Sequence, residues 1–315
     1  EPDVVIGPSV PLLTGLAAFI VARRFKAAFI FDIRDVWPEA LALMNIIRRN
    51  GIIFKVFRSV EKTLYRNASL IISSLPKVTE HITASIGEKK IVEYIPNGIN
   101  LELFGGICRR KKIAKTRVNI YYIGGFSNGH DLEIILKAAL DFQKNGDKKF
   151  KFHLYGSGVK KSECNKFIKR YGLKNIVLNE PVPKRDIPEL QCKADILIAT
   201  QSKDGASKFG LNLNKLSGYM ASGKPIILTS NSESDLLSAS GIWYKCKAGD
   251  YLCLIKHLRS ISNSSPDDLN KLGIASRRYI EKNISMEVIG DKFEMVLKKA
   301  IQSNVKNMER FNDGR

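Results

Sequence analysis

The sequence predicts two α/β domains, each a mostly parallel sheet wound by helices. Three observations carry this. Short β-branched runs alternate with longer helical stretches, and strands separated by helices of such length make βαβ units. The alternation occurs twice, separated by Gly105-Gly106 and Arg109-Arg110-Lys111-Lys112, glycine and charge punctuation that suits a linker. The chain has 315 residues, enough for two cores.

In the first run Val4-Ile6, Ala27-Ile33, Ser69-Ser73 and Ile91-Ile95 read as strands, and Pro11-Arg24, Ile52-Asn67 and Val78-Ile86 as helices. Helix 52–67 places Ile53, Val56, Phe57, Val60 and Leu64 on one face and Lys55, Arg58, Lys62 and Arg66 on another, a basic amphipathic pattern. In the second run Val118-Ile123, Lys151-Tyr155, Asn175-Leu178, Asp195-Ala199 and Pro225-Thr229 read as strands. Helices fall at Asp131-Lys144, Lys161-Tyr171, Arg185-Cys192 and Asn212-Ser222, the first with a buried stripe of Leu132, Ile135, Leu136 and Ala139. From Asp250 onward the pattern is helical only. The expected boundaries are 1–105, a linker at 106–117, 118–282 and a helical segment 283–315.

A hydrophobic fraction of 44% with 26% charged residues excludes a mostly disordered chain. No apolar run reaches the ~18 residues of a membrane span. Five scattered cysteines without a CxxC pair argue against a disulfide framework or zinc ribbon and fit a reducing cytoplasm. The charge is +20 and uneven: 13 basic against 10 acidic residues up to Gly105, then 38 against 21. Such a field attracts polyanions, anionic headgroups or phosphorylated substrates, and it equally describes a solvated lysine-rich surface.

Three motifs can carry chemistry. Gly124-Gly125-Phe126-Ser127-Asn128-Gly129 joins a strand to a helix, where glycines admit an anionic ligand to the backbone. Gly156-Ser157-Gly158 follows the next strand, with room for a base or ribose or simply a tight turn. In 208–225 a helix begins near Asn212 or Asn214, both good caps, with Lys215 in its first turn. The helix dipole disfavours a cation there, so a bound anion would explain Lys215. The four histidines show no ligand spacing or local partner, though His130 follows the glycine loop.

Taken in order, the GG loop, Gly156-x-Gly158, Ala194-Asp195-Ile196-Leu197-Ile198 and Asn214-Lys215-Leu216…Tyr219-Met220-Ala221…Gly223-Lys224-Pro225 resemble the donor domain of family 4 glycosyltransferases. Ile95-Pro96-Asn97-Gly98-Ile99…Leu103-Phe104 resembles the close of their first domain. Asp32-Ile33-Arg34-Asp35-Val36-Trp37-Pro38-Glu39 is similar to the branch that includes WbuB-type enzymes, which build O-antigen, capsule and exopolysaccharide. The resemblance implies a GT-B fold, two Rossmann-like doubly wound domains facing a cleft, the first lacking its opening βα units. It makes 1–105 the acceptor side and 118–282 the donor side.

The implied activity is transfer of a sugar from a nucleotide diphosphate-sugar, UDP-sugar foremost, to a growing lipid-linked surface polysaccharide, with retention and without a metal or other cofactor. The chain lacks Asp-x-Asp, the metal-bridging motif of the other glycosyltransferase fold. Asp35, Lys208 and Lys215 are the catalytic candidates; Gly124, Gly125, Ser127, Asn128, Gly129, Gly156, Gly158, Asn214 and Lys215 are the donor-binding ones. The implied location is the cytoplasm, with the basic helix 52–67 and Arg48-Arg49 available to anionic lipid on the inner membrane's cytoplasmic face. No nucleic-acid module is recognisable. The family pattern is broken at Gly210 and Gly218, where many relatives carry acids, the second binding the donor ribose. It is broken also at Gly125, where many have a basic residue, and at Arg34, where some have histidine. A GT-B sugar-nucleotide epimerase and a nucleotide binder without turnover remain alternatives.

Overall fold

The computed structural model describes residues 1–43, 46–105, 116–203, 209, 214–232 and 243–313, with backbone alone for Asn214, Trp243 and 306–313. They form two compact units. One comprises Glu1–Gly98 with Phe209 and the residues from Glu287; the other comprises the described residues of Ile99–Ser207 and Leu213–Met286.

The first unit runs β1 (Val4–Pro8), α1 (Leu12–Phe25), β2 (Ala28–Ile33), α2 (Glu39–Leu43), α3 (Ile52–Asn67), β3 (Leu70–Ser73), α4 (Val78–Ile86) and β4 (Val92–Tyr94). Its four strands are parallel in the order β1-β2-β3-β4. Right-handed crossovers in one unreversed direction put their helices on one face. Strand alternation serves both faces. Phe29, Phe31, Ile33 and Ile71 pack with Leu12, Phe19, Leu64, Tyr65, Val78 and Ile82 of α1, α3 and α4. Ala28, Ile30, Leu70 and Ile72 point the other way, where Val296 and Ala300 of the C-terminal helix α11 (Met286–Asp313) cover them. Each large apolar side chain so buried contributes ~1.5–3 kcal/mol. The segment expected as a C-terminal extension thus supplies the second layer of the first unit.

Helix α3 departs from its expected pattern. Ile53 and Val56 are exposed, and Ile52 is 81% exposed, while the buried side is Glu61, Leu64 and Tyr65. Arg58 is not on a solvated basic stripe: it is ion-paired to Glu39 at 2.7 Å and to Glu61 at 2.6 Å. Sequence periodicity could not see partners brought from other elements.

The second unit opens with a 3-10 turn, Glu102–Phe104. It continues through β5 (Val118–Ile123), α5 (Glu133–Lys144), β6 (Phe150–Tyr155), α6 (Lys161–Tyr171), β7 (Ile176–Asn179), α7 (Ile187–Lys193) and β8 (Ile196–Thr200). Then follow α8 (Asn214–Ala221), β9 (Ile226–Thr229), β10 (Trp243–Cys246), α9 (Tyr251–Asn263) and α10 (Pro266–Asn283). All six strands are parallel, in the order β10-β9-β8-β5-β6-β7. The order reverses between β5 and β8, the doubly wound arrangement whose ligand crevice lies beyond the strand carboxyl ends at the reversal. The expected α5 stripe is buried, and Phe142 of α5 stacks on Phe150 at 4.1 Å. Asp250 caps α9 and Ser265 caps α10, the latter with Pro266 at its first position.

Predicted and observed strand ends agree to within two residues. Strand β10 and the five-residue α2 escape the sequence, because Trp243-Tyr244-Lys245-Cys246 has no alternation and α2 is too short to show a period. Among the described residues no helix is long and apolar enough to cross a membrane.

Candidate functional site

At the second unit's strand reversal the side chain of Lys215, in the first turn of α8, lies against the end of β5. Its Nζ donates to Tyr122 Oη at 2.9 Å and sits 4.0 Å from that ring's centroid. Tyr122 Oη in turn donates to Gly125 O at 2.8 Å. No carboxylate among the described residues pairs with Lys215. Burial pushes its ammonium down to about 7. A buried cation without an anion is costly, and the same desolvation strengthens its attraction for any anion that arrives.

His130 completes this edge. Its Nδ1 lies 2.9 Å from Thr200 O at the end of β8, so Nδ1 carries the proton and Nε2 keeps a lone pair. Burial, then Lys215 and Lys160, hold its pKa down at about 4 despite the Thr200 bond, so the ring is neutral near pH 7. Lys160 Nζ reaches His130 O at 3.4 Å. The expectation of a partnerless His130 is therefore corrected, and Lys160 and Tyr122 are members that motif reading missed. Tyr122 had looked like any strand aromatic.

The glycines divide by role. Gly124 N donates to Tyr155 O at 2.9 Å and Phe126 N to Ser157 O at 2.8 Å, tying the two glycine loops together. A Cβ on Gly156 would lie 1.9 Å from Gly124 O, and one on Gly158 would lie 2.5 Å from Phe126 O, both at positive φ. The side of each glycine where a side chain would stand is taken by 124–126 backbone. Gly156 and Gly158 let the first loop close down. At Gly124 a Cβ would lie 2.4 Å from Lys215 Nζ, so glycine there makes room for the lysine. Gly125 faces open space, and Ser127, Asn128 and Gly129 are exposed on the same loop.

Lys208 and Gly210 lie outside the described residues, and Asn214 is described only as the first residue of α8. At Gly218 a Cβ would meet Gln191 Nε2 at 3.0 Å, so the amide of α7 occupies the space beside that glycine. Gln191 Oε1 is buried with no hydrogen-bond partner.

The first unit gathers a second polar set at its own carboxyl edge. Ser9 Oγ donates to Asp35 O at 2.8 Å and accepts from the Arg34 and Asp35 amides at 3.0 and 3.2 Å. Arg34 Nε pairs with Asp32 at 2.7 Å, and its guanidinium also donates to Asn97 Oδ1. This fixes the Asp35 backbone while leaving its carboxylate exposed, with its pKa raised by partial desolvation. Two residues on, Trp37 meets Phe57 at 6.0 Å. Behind this segment Glu61 accepts from Tyr65 Oη at 2.7 Å and from Arg58 at 2.6 Å, with His81 Nε2 at 3.0 Å. Phe209 stands edge-on to His81 at 5.1 Å.

Among the described residues two clusters have metal-ligating composition, Glu39-Glu61-His81 and Cys246-Cys253-His257. In the first, Arg58 already bonds both carboxylates and stands 3.3 Å from His81 Nε2, so a fixed cation fills the place of an ion. The second corrects the view that His257 lacks ligand spacing. Among described cysteines Cys164, Cys246 and Cys253 are free, whereas Cys192 is disulfide-bonded, a single bond rather than a framework.

Residues 117–260 match the family model "Glycosyl transferases group 1". Among curated proteins no sequence matches the chain. Solved structures do. Sucrose-phosphate synthase from Thermosynechococcus elongatus superposes with TM-score 0.74 at 14% identity over 96% of this chain and 74% of its own. The Anabaena protein HepE, in complex with UDP and glucose, gives 0.72 at 15% over 94% and 77%. A glycosyltransferase from Rickettsia africae gives 0.67 at 12% over 92% and 81%. The fold is therefore GT-B, with two Rossmann-like parallel-sheet domains, and residues 117–260 carry the match to glycosyl transferases group 1.

Proposed function

We propose that this protein transfers a sugar from a UDP-sugar to a saccharide acceptor, binding the donor diphosphate at Lys215. The observation that carries the reading is a buried ammonium with no acidic partner among the described residues, at the sheet reversal beside a glycine loop and Lys160. The family match over 117–260 and the UDP and UDP-glucose complexes of HepE support the choice of donor. Retention rests on the resemblance to family 4 glycosyltransferases, and a lipid-linked surface-polysaccharide acceptor on that of 32–39 to WbuB-type enzymes. The domain roles, acceptor on 1–105 and donor on 118–282, rest on the resemblance of the glycine-loop to 214–225 motifs and of 95–104 to family 4 glycosyltransferases.

In this mechanism the bond from C1 to the β-phosphate oxygen breaks while the acceptor oxygen bonds C1 on the same face. The acceptor proton passes to the departing phosphate. Charge developing on that phosphate is met by Lys215, Lys160 and the amides of 125–129, fixed before the reaction begins. His130, neutral, offers Nε2 as an acceptor without adding charge. Asp35, held by Ser9, orients the acceptor hydroxyl. Gln191, filling the place beside Gly218, offers the ribose its unpaired oxygen.

The test is acceptor-dependent UDP release from UDP-glucose, UDP-galactose and UDP-N-acetylglucosamine, with lipid-linked oligosaccharide as acceptor and product analysis. Transfer with retention is expected, and Asp35→Asn should lower kcat about 100-fold while leaving UDP affinity unchanged. Free isomerised sugar without acceptor would establish the epimerase instead, and no turnover with intact UDP binding would establish a nucleotide binder.

Gly125→Arg is expected to be tolerated, since its Cβ meets nothing within 4 Å and its φ is ordinary. The added guanidinium faces the diphosphate, and a charge-assisted bond should tighten UDP about tenfold. Unchanged affinity in a folded variant would place the diphosphate elsewhere.

The exposed apolar residues Ile46, Ile52, Ile53 and Val56 adjoin Arg48, Arg49 and Lys55, a combination suited to an anionic bilayer surface. Flotation with phosphatidylglycerol vesicles should fall at least tenfold on reversing Arg48, Arg49 and Lys55. Arg58 is excluded from this set, because its partners are Glu39 and Glu61. Unaltered flotation would remove the bilayer as a partner of this surface.

A further inference from the structure

The carboxyl end of β10 and the first two turns of α9 bring three soft donors together. Cys246 closes the strand, while Cys253 and His257 stand four apart on one face of the helix. One ligand atom of each lies within 4.8 Å of the others. The approach is built by both elements. Tyr244, two residues before Cys246 and so on the same face of the strand, packs its ring on His257 at 5.2 Å. The Cys253 amide donates to Asp250 Oδ1 at 2.9 Å, which fixes the helix start. The Cys246 carbonyl accepts from Ser230 N at 3.0 Å, which fixes the strand end beside β9.

We propose that Cys246, Cys253 and His257 bind one zinc ion. Two thiolates and an imidazole form a soft donor set that selects a thiophilic d10 cation over magnesium or calcium. Tetrahedral zinc with bonds of ~2.3 Å to sulfur and ~2.0 Å to nitrogen needs its ligand atoms roughly 3.5–3.8 Å apart. The three therefore close by at most about 1.3 Å, within the reach of side-chain rotation. Cys246 is buried and the other two are partly exposed, so the fourth position opens to water. Binding releases both thiol protons to solvent and leaves a neutral zinc–dithiolate unit. The ion would clip α9 to β10 across the turn 247–250, next to the loop after β9.

The experiment is a Co2+ titration of the full chain, reduced with a phosphine. The expected result is thiolate-to-cobalt charge-transfer absorption with tetrahedral d–d bands that saturates at one equivalent and is displaced by Zn2+. Cys246→Ser and Cys253→Ser should each abolish the charge-transfer band or reduce it to half. His257→Ala should weaken cobalt binding at least tenfold, and Cys164→Ser should change nothing. Zinc should raise the melting temperature of the wild type but not of the double serine variant. Absence of the bands in reduced wild-type protein, or their persistence in Cys246→Ser, Cys253→Ser protein, overturns the proposal. UDP titration of the same samples keeps this outcome separate from the donor reading.

Discussion

Replacing Lys215 with methionine is expected to weaken UDP binding by about 100- to 1000-fold while leaving the melting temperature unchanged or higher. The two outcomes have one origin. The Lys215 ammonium is buried with a phenol and an aromatic face but no described carboxylate, so the free protein bears its desolvation and the diphosphate relieves it. Truncating one partner of a buried, hydrogen-bonded charge pair costs ~2–5 kcal/mol of binding. A merely structural lysine would give the opposite pair, lower stability with intact binding.

The pH dependence follows with its sign. The folded pKa of about 7 lies below the unfolded 10.5, so between these values the unfolded chain binds more protons and stability rises with pH. The penalty of the buried charge is therefore complete below pH 7 and is relieved between pH 7 and 10.5. Bound diphosphate favours the ammonium, so UDP binding at pH 8 should take up close to one proton. Affinity should then fall about tenfold per pH unit above 7.5. Calorimetry in buffers of different ionisation enthalpy measures the uptake, and Lys215→Met should abolish it.

Glu61→Ala is expected to lower the melting temperature by about 10 °C. Glu61 is 1% exposed and serves Tyr65, Arg58 and His81 at once. Its removal leaves Arg58 with Glu39 alone and orphans the buried Tyr65 hydroxyl, whose pKa burial and Glu61 hold well above its usual value. Breaking a buried ion pair in this way costs ~3–5 kcal/mol, and a domain of this size loses ~2–4 °C per kcal/mol. The isosteric Glu61→Gln keeps three acceptor contacts in part and should lose about half as much. Thermal denaturation decides it. A shift under 2 °C for Glu61→Ala would mean the network adds little beyond its packing.

The sequence discloses what local chemistry controls. Alternating β-branched runs mark β5 to β9 and their order, and the glycine loop and Lys215 stand out because their residue types conflict with an ordinary turn and an ordinary helix start. What stays hidden depends on residues distant in the chain. Tyr122 gains meaning only when Lys215, 93 residues later, lies on its ring. Arg58 looks solvated until Glu39 arrives from α2. Gly156 and Gly158 look like plain turn residues until the 124–126 backbone takes the side where a side chain would stand. The layer supplied by α11 is hidden for the same reason, since nothing in its periodicity says which sheet it covers.

The most direct test is calorimetric titration of UDP, with GDP and ADP alongside, into the folded full chain at pH 7 and pH 8. The donor-site reading predicts one UDP site, weaker binding of the other two nucleotides, and proton uptake at pH 8 that vanishes in Lys215→Met. No heat with any of the three nucleotides, in protein shown by thermal melting to be folded, would contradict it.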